Sequence, residues 1–315
     1  MDQYNKSLVL AKIETVYGTD SAPTVIINAL ITKGVPTFEV VGNARQREVP
    51  IGFFGSIAPV NVGEALKLTF TTELKSSGTA GIASRYGCLF RACNFTESLS
   101  AGVSVSYTPN SSMGGESVTL WFYANTTLHK ITGCVGTFQI KLVSQEIVTV
   151  EWSFTGLYAG THASTVTFGS ATHEAIAPVI WKAATFTYNS FAATINELTL
   201  DIGNEVAKRL DANATTGINR YFVKNRSAKG NMLIESVALT TLNPWSIYNA
   251  TSQANIALVS GNDLVLDNIC TFAVTGVILE PPKYADKENI QMWDLAFTIN
   301  PTLTTGNNEM VLTFT

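Results

Sequence analysis

Leu66-Lys67-Leu68-Thr69-Phe70-Thr71-Thr72-Glu73-Leu74 alternates apolar and polar side chains, with Thr72 standing in one apolar place. Successive residues of an extended chain point to opposite faces. The period of two therefore sets the leucines and Phe70 on one face and Lys67, Thr69, Thr71 and Glu73 on the other. The same period returns in Val118, Leu120 and Phe122, in Phe138, Ile140 and Leu142, and in Val148, Val150, Trp152 and Phe154. Ser144-Gln145-Glu146 separates the last two runs, which predicts a hairpin. In the second half Leu198, Leu200 and Ile202 alternate with Thr199, Asp201 and Gly203. Val274 to Leu279 and Met292 to Ile299 read as another antiparallel pair. Pro281-Pro282 and Asp286-Lys287-Glu288-Asn289 between them read as a polar, helix-breaking loop. Helical signal is sparse. Ser84 to Asn94 places Leu89, Phe90 and Cys93 on one face. Asn243-Pro244-Trp245 reads as an N-cap with Pro at the first helical position, opening a helix to about Gln253.

A short text occurs twice. Val41-Gly42-Asn43-Ala44-Arg45-Gln46-Arg47-Glu48-Val49 returns as Ile202-Gly203-Asn204-Glu205-Val206-Ala207-Lys208-Arg209-Leu210, with the glycines 161 positions apart (203 − 42). That period is far too long for a solenoid and predicts two copies of one domain in tandem. Other elements match in the same order, down to Thr137-Phe138 with Thr271-Phe272, where the offset is 134 (271 − 137). An insertion in the first copy, around Ser98 to Gly115, accounts for the drift. The expectation is a mainly β chain of two tandem β-sandwich or barrel domains, each with one short α-helix. The first domain spans residues 1–160, with an N-terminal arm at 1–36; a linker follows at 161–178 and the second domain at 179–315. The linker is rich in Gly, Ala, Ser and Thr, and Ser164 to Phe168 within it has short-strand character.

Length and composition agree. At 315 residues the chain exceeds what one hydrophobic core usually serves. Only 14% of residues are charged, where about a quarter is usual. A surface of Thr, Ser, Asn and small apolar residues is poorly defended against association, so copies of the chain are expected to cover it. The net charge of −4 and the absence of any Lys/Arg block argue against tight binding of nucleic acid through phosphates. Met1-Asp2-Gln3-Tyr4-Asn5 is not a basic segment followed by an apolar one, and no apolar run approaches the ~20 residues of a membrane span. No secretion and no membrane partner are expected. Four cysteines do not make a disulfide framework; Cys88, Cys93, Cys134 and Cys270 read as buried reduced thiols. The sequon Asn125-Thr126-Thr127 reads as no more than a Thr-rich turn.

The residue types of catalysis are scarce. His162 and His173 fall in the expected linker, and His129 reads as a turn residue in Leu128-His129-Lys130. Gly78-Thr79-Ala80-Gly81 precedes a helix and could cradle an anion, but it lacks the Lys of a P-loop. No catalytic residue, metal ligand or cofactor is expected, so an enzyme is the least favoured class. The repeated text is the more informative place. Arg45, Arg47 and Glu48 follow it in the first copy, and Glu205, Lys208, Arg209 and Asp211 in the second. One reading is an ordinary charged hairpin tip. The other is a protruding loop that sets contacts between subunits or stacked rings, where mixed signs give complementarity without attraction to DNA.

An ordered set of motifs carries a resemblance. It includes Leu8-Val9-Leu10-Ala11-Lys12-Ile13-Glu14-Thr15-Val16-Tyr17-Gly18-Thr19-Asp20, Ser77-Gly78-Thr79-Ala80-Gly81, Leu89-Phe90-Arg91-Ala92-Cys93 and Tyr107-Thr108-Pro109. Leu128-His129-Lys130, Phe154-Thr155-Gly156-Leu157-Tyr158, Leu200-Asp201-Ile202-Gly203-Asn204-Glu205-Val206 and Pro244-Trp245 continue it. Together they resemble the major tail tube proteins of long-tailed bacteriophages, in the form with two fused tube domains. Asn213 to Arg226 departs from the pattern. The resemblance implies tube domains whose sheets join those of neighbours in stacked rings. Three chains would supply six domains per ring, giving threefold symmetry with a pseudo-sixfold lumen. It implies as partners further copies of the chain, other phage tail proteins at the tube ends, and tape measure protein and genomic DNA in the lumen without sequence-specific binding. It implies assembly from the host cytoplasm into the virion. The alternative is a virion-surface or secreted β-sandwich that binds glycans or a receptor; Trp121, Trp152 and Trp293 within strands, rather than in loops, count against it.

Overall fold

The alternating stretches become strands of a largely antiparallel structure. The computed structural model describes residues 6–158, 164–166, 169–260 and 268–315. The first half holds β1 (Ser7–Ile13), β2 (Ala29–Leu30), β3 (Thr37–Arg45), β4 (Val60–Glu73), α1 (Gly87–Ala92), β5 (Phe95–Ser100), β6 (Ser104–Pro109), β7 (Val118–Ala124), β8 (Thr127–Val143) and β9 (Thr149–Tyr158). After the short β10 (Ser164–Thr165), the second half holds β11 (Thr185–Tyr188), β12 (Ile195–Asp201), β13 (Asn204–Leu210), β14 (Ile218–Arg226), β15 (Lys229–Glu235), α2 (Pro244–Asn249) and β16 (Ala254–Ser260). β17 (Cys270–Leu279), β18 (Lys283–Lys287), β19 (Ile290–Ile299) and β20 (Met310–Phe314) complete it.

The pairings follow one order twice. In the first half β1 pairs β7, β7 pairs β8, β8 pairs β9, β9 pairs β4 and β4 pairs β3. In the second, β11 pairs β16, β16 pairs β17, β17 pairs β19, β19 pairs β15 and β15 pairs β12. Trp152 lies opposite Phe70, and Trp293 lies opposite Ile234. Both indoles are fully buried.

Two connections stitch the halves together. β8 pairs β12 from Gln139 opposite Asp201 to Val143 opposite Glu197. β20 pairs β6, with Leu312 opposite Tyr107, so the β5–β6 hairpin of the first half clasps the second. This hairpin occupies the place of the expected insertion. One core runs through both halves: Leu66, Phe138 and Trp152 share it with Leu200, Phe272 and Trp293. Burial on this scale is the main stabilising term of the fold, since each fully buried large apolar side chain contributes roughly 1.5–3 kcal/mol.

Several local readings are corrected. The segment expected as an arm contains β1, whose Leu8, Val9, Leu10 and Ala11 are buried. The loop after Pro281-Pro282 contains β18, paired to β19. His129 is no turn residue; it sits in β8 with its ring 4.2 Å from that of Phe38. α2 has the expected cap, the Asn243 side chain accepting the Ser246 N–H, but it ends at Asn249. The described part of the expected linker lies against the first half. Thr172 N–H donates to Val25 O at 3.1 Å, and the Arg85 N–H donates to Glu174 Oε1 at 3.0 Å. His162 and Phe168 lie outside the described residues.

Candidate functional site

The strands β3–β4–β9–β8–β12–β15–β19–β18 form one continuous eight-stranded run. One face is apolar and packs on the core through Leu66, Trp152, Ile140, Leu200, Met232 and Leu295. The other face is Thr-rich and carries paired opposite charges. On it Glu39 faces Lys67, Asp201 faces Lys229, and Lys283 faces Asp294. Thr37 faces Thr69 and Thr199 faces Lys141. Cross-strand pairs of opposite sign stabilise such a face while leaving little net field.

The run has two ends. Among the described residues β3 pairs only β4, and β18 pairs only β19. Val40 and Val41 on β3 are 50% and 46% exposed although they point to opposite faces, and Tyr284 on β18 is 60% exposed. An uncovered edge with apolar side chains on both faces is a template for another chain.

Two hairpins leave this run at the repeated text. Their fates differ. The second, β13–β14, turns at Gly203, which has φ +59°. A Cβ there would run into the carbonyl oxygen of Ser227, so the turn needs glycine. Asn204 then fixes the root: its N–H donates to Thr137 Oγ1 at 3.1 Å, and its Nδ2 donates to Cys93 O at 2.7 Å and Gly136 O at 3.0 Å. The hairpin lies across the first half, where Ile218, Tyr221 and Val206 pack against Ala65, Val135 and Leu157. Tyr17 locks it by donating its hydroxyl to Gly133 O and accepting the N–H of Tyr221. Burial pushes that phenol well above its ordinary pKa. The loop bearing Tyr17 is held in turn by Glu14, whose carboxylate accepts from Gly18 N, Ser117 Oγ, Thr119 Oγ1 and Gly133 N at 2.6–2.8 Å. A groove of about 790 Å³ separates this hairpin from the start of β4, lined by Val62, Gly63, Leu157, Tyr158, Thr216 and Ile218.

The first hairpin has no such seat. Beyond Arg45 the chain passes through Arg47, Glu48, Val49, Phe53 and Phe54, all exposed, and returns at Val60. Gln46 Nε2 donates to Ile57 O at 2.8 Å and closes its base.

The sequence-expected contact residues are thus divided. Arg45, Arg47 and Glu48 are exposed on the first hairpin's surface. On the second, Glu205 pairs with Lys224 at 2.8 Å across the two strands. Lys208 and Arg209 are exposed. Asp211 holds the tip, its carboxyl kept below its ordinary pKa first by the Asn213 N–H and then by the Asn213 and Asn219 side chains. Glu14, Tyr17 and Asn204 were not singled out as site residues. Glu14 and Tyr17 stand in the opening motif and Asn204 in the repeat.

Nothing in this arrangement collects reactive groups. Cys93, Cys134 and Cys270 are fully buried, and burial pushes their thiols well above the ordinary range. Cys88 is pushed up to about 12 for the same reason. Among the described residues no group of three or more His, Cys, Asp or Glu could hold a metal ion. Among them, too, no helix is long and apolar enough to cross a membrane.

Comparison with curated proteins gives no match. A family model described as phage tail tube protein matches residues 5–314, nearly the whole chain. The uncovered sheet edges, the Thr-rich charged face and the free hairpin are features of a subunit built to be joined, and by that match the chain belongs to the phage tail tube protein family, a structural component of the virion tail.

Proposed function

We propose that the chain is a tandem pair of tube domains, 1–160 and 179–315, that polymerises into stacked rings of three chains. The rings form the conduit through which genomic DNA leaves the particle. One observation carries this reading: the eight-stranded run contains, at its middle, a worked example of the joint its two ends would make.

The junction inside the chain is β8 on β12. By the recurring pair order, β18 stands where the second part of β8 stands, because Trp293 faces Tyr284 as Trp152 faces Phe138. Likewise β3 stands where β12 stands. Lys141 lies opposite Thr199 inside the chain. The equivalent pair between chains is Lys287 with Glu39 of the next copy, opposite in charge. Three chains joined this way close a ring, and closing removes both open edges.

The polar face then lines the lumen. Its paired charges and hydroxyls suit a wall that DNA must pass without adhering, since each neutralised phosphate adds salt-dependent affinity. Tape measure protein would share that lumen, and other tail proteins would meet the ends. Assembly would draw on chains held in the host cytoplasm.

Electron microscopy of concentrated purified protein tests the reading. Tubes with three chains per ring, and a cross-link between Glu39→Cys and Lys287→Cys that forms only in tubes, are expected. Rings of six whole chains, or a stable monomer that binds glycans, would overturn it.

A further inference from the structure

The unseated first hairpin has a destination that the seated one identifies. This deepens the ring reading and rests on it. Leu66 and Gly230 occupy matching places, opposite Gly156 and Phe297 on strands aligned by their tryptophans. The same offset carries Ile218 and Tyr221 onto Phe54 and Ile57. Those two second-half residues are the ones that bury themselves on the first half. Their counterparts are a fully exposed Phe54 and a half-buried Ile57, with Phe53 also exposed. The two tips also differ in chemistry. Asp211-Ala212-Asn213-Ala214-Thr215-Thr216-Gly217 is polar, whereas Val49-Pro50-Ile51-Gly52-Phe53-Phe54 is apolar without a single charge.

The receiving surface follows from the same alignment. Leu157 and Tyr158, beside which the second hairpin lies, correspond to Thr298 and Ile299. Immediately after them Pro301 and Leu303 are exposed, Leu303 completely. A cavity of about 240 Å³ opens beside Pro301, lined by Met113, Val223 and Pro301 and by the polar Lys224, Arg226 and Glu309.

We infer that the hairpin tip at Phe53, Phe54 and Ile57 docks on the exposed Pro301–Leu303 surface of a second copy of this chain, across the β18–β3 joint. The contact is heterologous, one surface on each of two different places of the same molecule, so each chain both gives and receives it. Inside a chain the corresponding contact is already made by β13–β14. Each joint between chains would therefore be held twice, by the strand edges and by the hairpin.

The test uses the whole chain with Phe54→Cys and Leu303→Cys together, joined by a short bis-maleimide. The native thiols at Cys93, Cys134 and Cys270 are buried and Cys88 is half-buried, and each single variant controls for them. A chain-to-chain product is expected in tubes and not in dilute monomer. Separately, Phe53→Ser with Phe54→Ser should raise the concentration needed for assembly by tenfold or more while leaving the monomer's melting temperature unchanged. Wild-type tubes that give no 54-to-303 product, together with a serine variant assembling at the wild-type concentration, would sink the docking and leave the ring standing. Failure of the wild type to form tubes at all would remove the ring, and the docking with it.

Discussion

The N–H of Tyr221 donates to the hydroxyl oxygen of Tyr17 at 2.6 Å, across 204 residues of sequence. The same hydroxyl donates to Gly133 O at 3.1 Å. One phenol thus ties the second hairpin to the first half's sheet, with the Arg220 guanidinium 4.6 Å above its ring. Removing the oxygen leaves the Tyr221 N–H without its partner, at a cost of about 1–2 kcal/mol. Tyr17→Phe should keep the overall fold and loosen β13–β14. Hydrogen exchange at the Tyr221 amide should speed up by tenfold or more, while β9 amides keep their protection. Equal loss of protection in both would show that the tie is global rather than local.

Glu14 is 8% exposed and accepts four hydrogen bonds, all from neutral donors. A glutamine of the same shape turns an NH₂ toward two of those donors. Hydrogen bonds to charged groups are worth more than neutral ones, so Glu14→Gln should destabilise by about 2–3 kcal/mol. The melting temperature should fall by roughly 3–5 °C. An unchanged melting temperature would refute the role assigned to this carboxylate.

Glu174 behaves in the opposite sense. Its Oε1 accepts the Arg85 N–H at 3.0 Å, while its Oε2 is buried without a partner. Burial raises its pKa above the ordinary carboxylate value, against the lowering pull of that N–H and of the charges on Arg85 and Lys75. The folded state therefore holds this proton more tightly than the unfolded state. Stability falls as pH rises from the unfolded to the folded pKa, and the ionised group is a burden at neutral pH. Glu174→Gln keeps the acceptor and removes the charge. The variant should melt higher than the wild type at pH 7, with the difference closing below about pH 4.5. Thermal melts across pH 4–8 decide it, and a variant less stable at pH 7 would mean that Arg85 and Lys75 need the charge.

The exposed edge of β3 can be blocked without touching the core. Along an antiparallel strand consecutive N–H groups point to opposite sides. Of Val40 and Val41, one N–H therefore faces β4 and the other faces outward. Proline removes the donor. One of Val40→Pro and Val41→Pro should damage the monomer, and the other should fold and fail to form tubes. Circular dichroism and electron microscopy of the pair provide the readout. If both variants fold and polymerise, the β3 edge is not a joint.

How much of this was legible in the sequence depended on the range of the interaction. The strand from Leu66 to Leu74 and the hairpin around Ser144-Gln145-Glu146 declared themselves, because period and turn chemistry are local. The Asn243 cap did so for the same reason. β18 did not: Lys283 to Lys287 is short, largely exposed and preceded by Pro281-Pro282, so it has no apolar face to reveal it. β1 hid for the opposite reason. Leu8 to Ala11 is buried on both faces, which erases the alternation, and its place before the repeat made it look like an arm. At the site, the repeat located both hairpin roots. It could not show that one hairpin is seated and the other free. That difference is made by Tyr17 and by Ala65, Val135 and Leu157, all in the first half, touching residues of the second.

The clasp of β20 on β6 bears on how the chain is made. Tyr107 leaves the ribosome 205 residues before its partner Leu312 (312 − 107). At roughly 5–20 residues per second that is a wait of about 10–40 s. Throughout it β6 presents an unguarded strand, so a cell making this protein in quantity carries a standing population of half-buckled nascent chains.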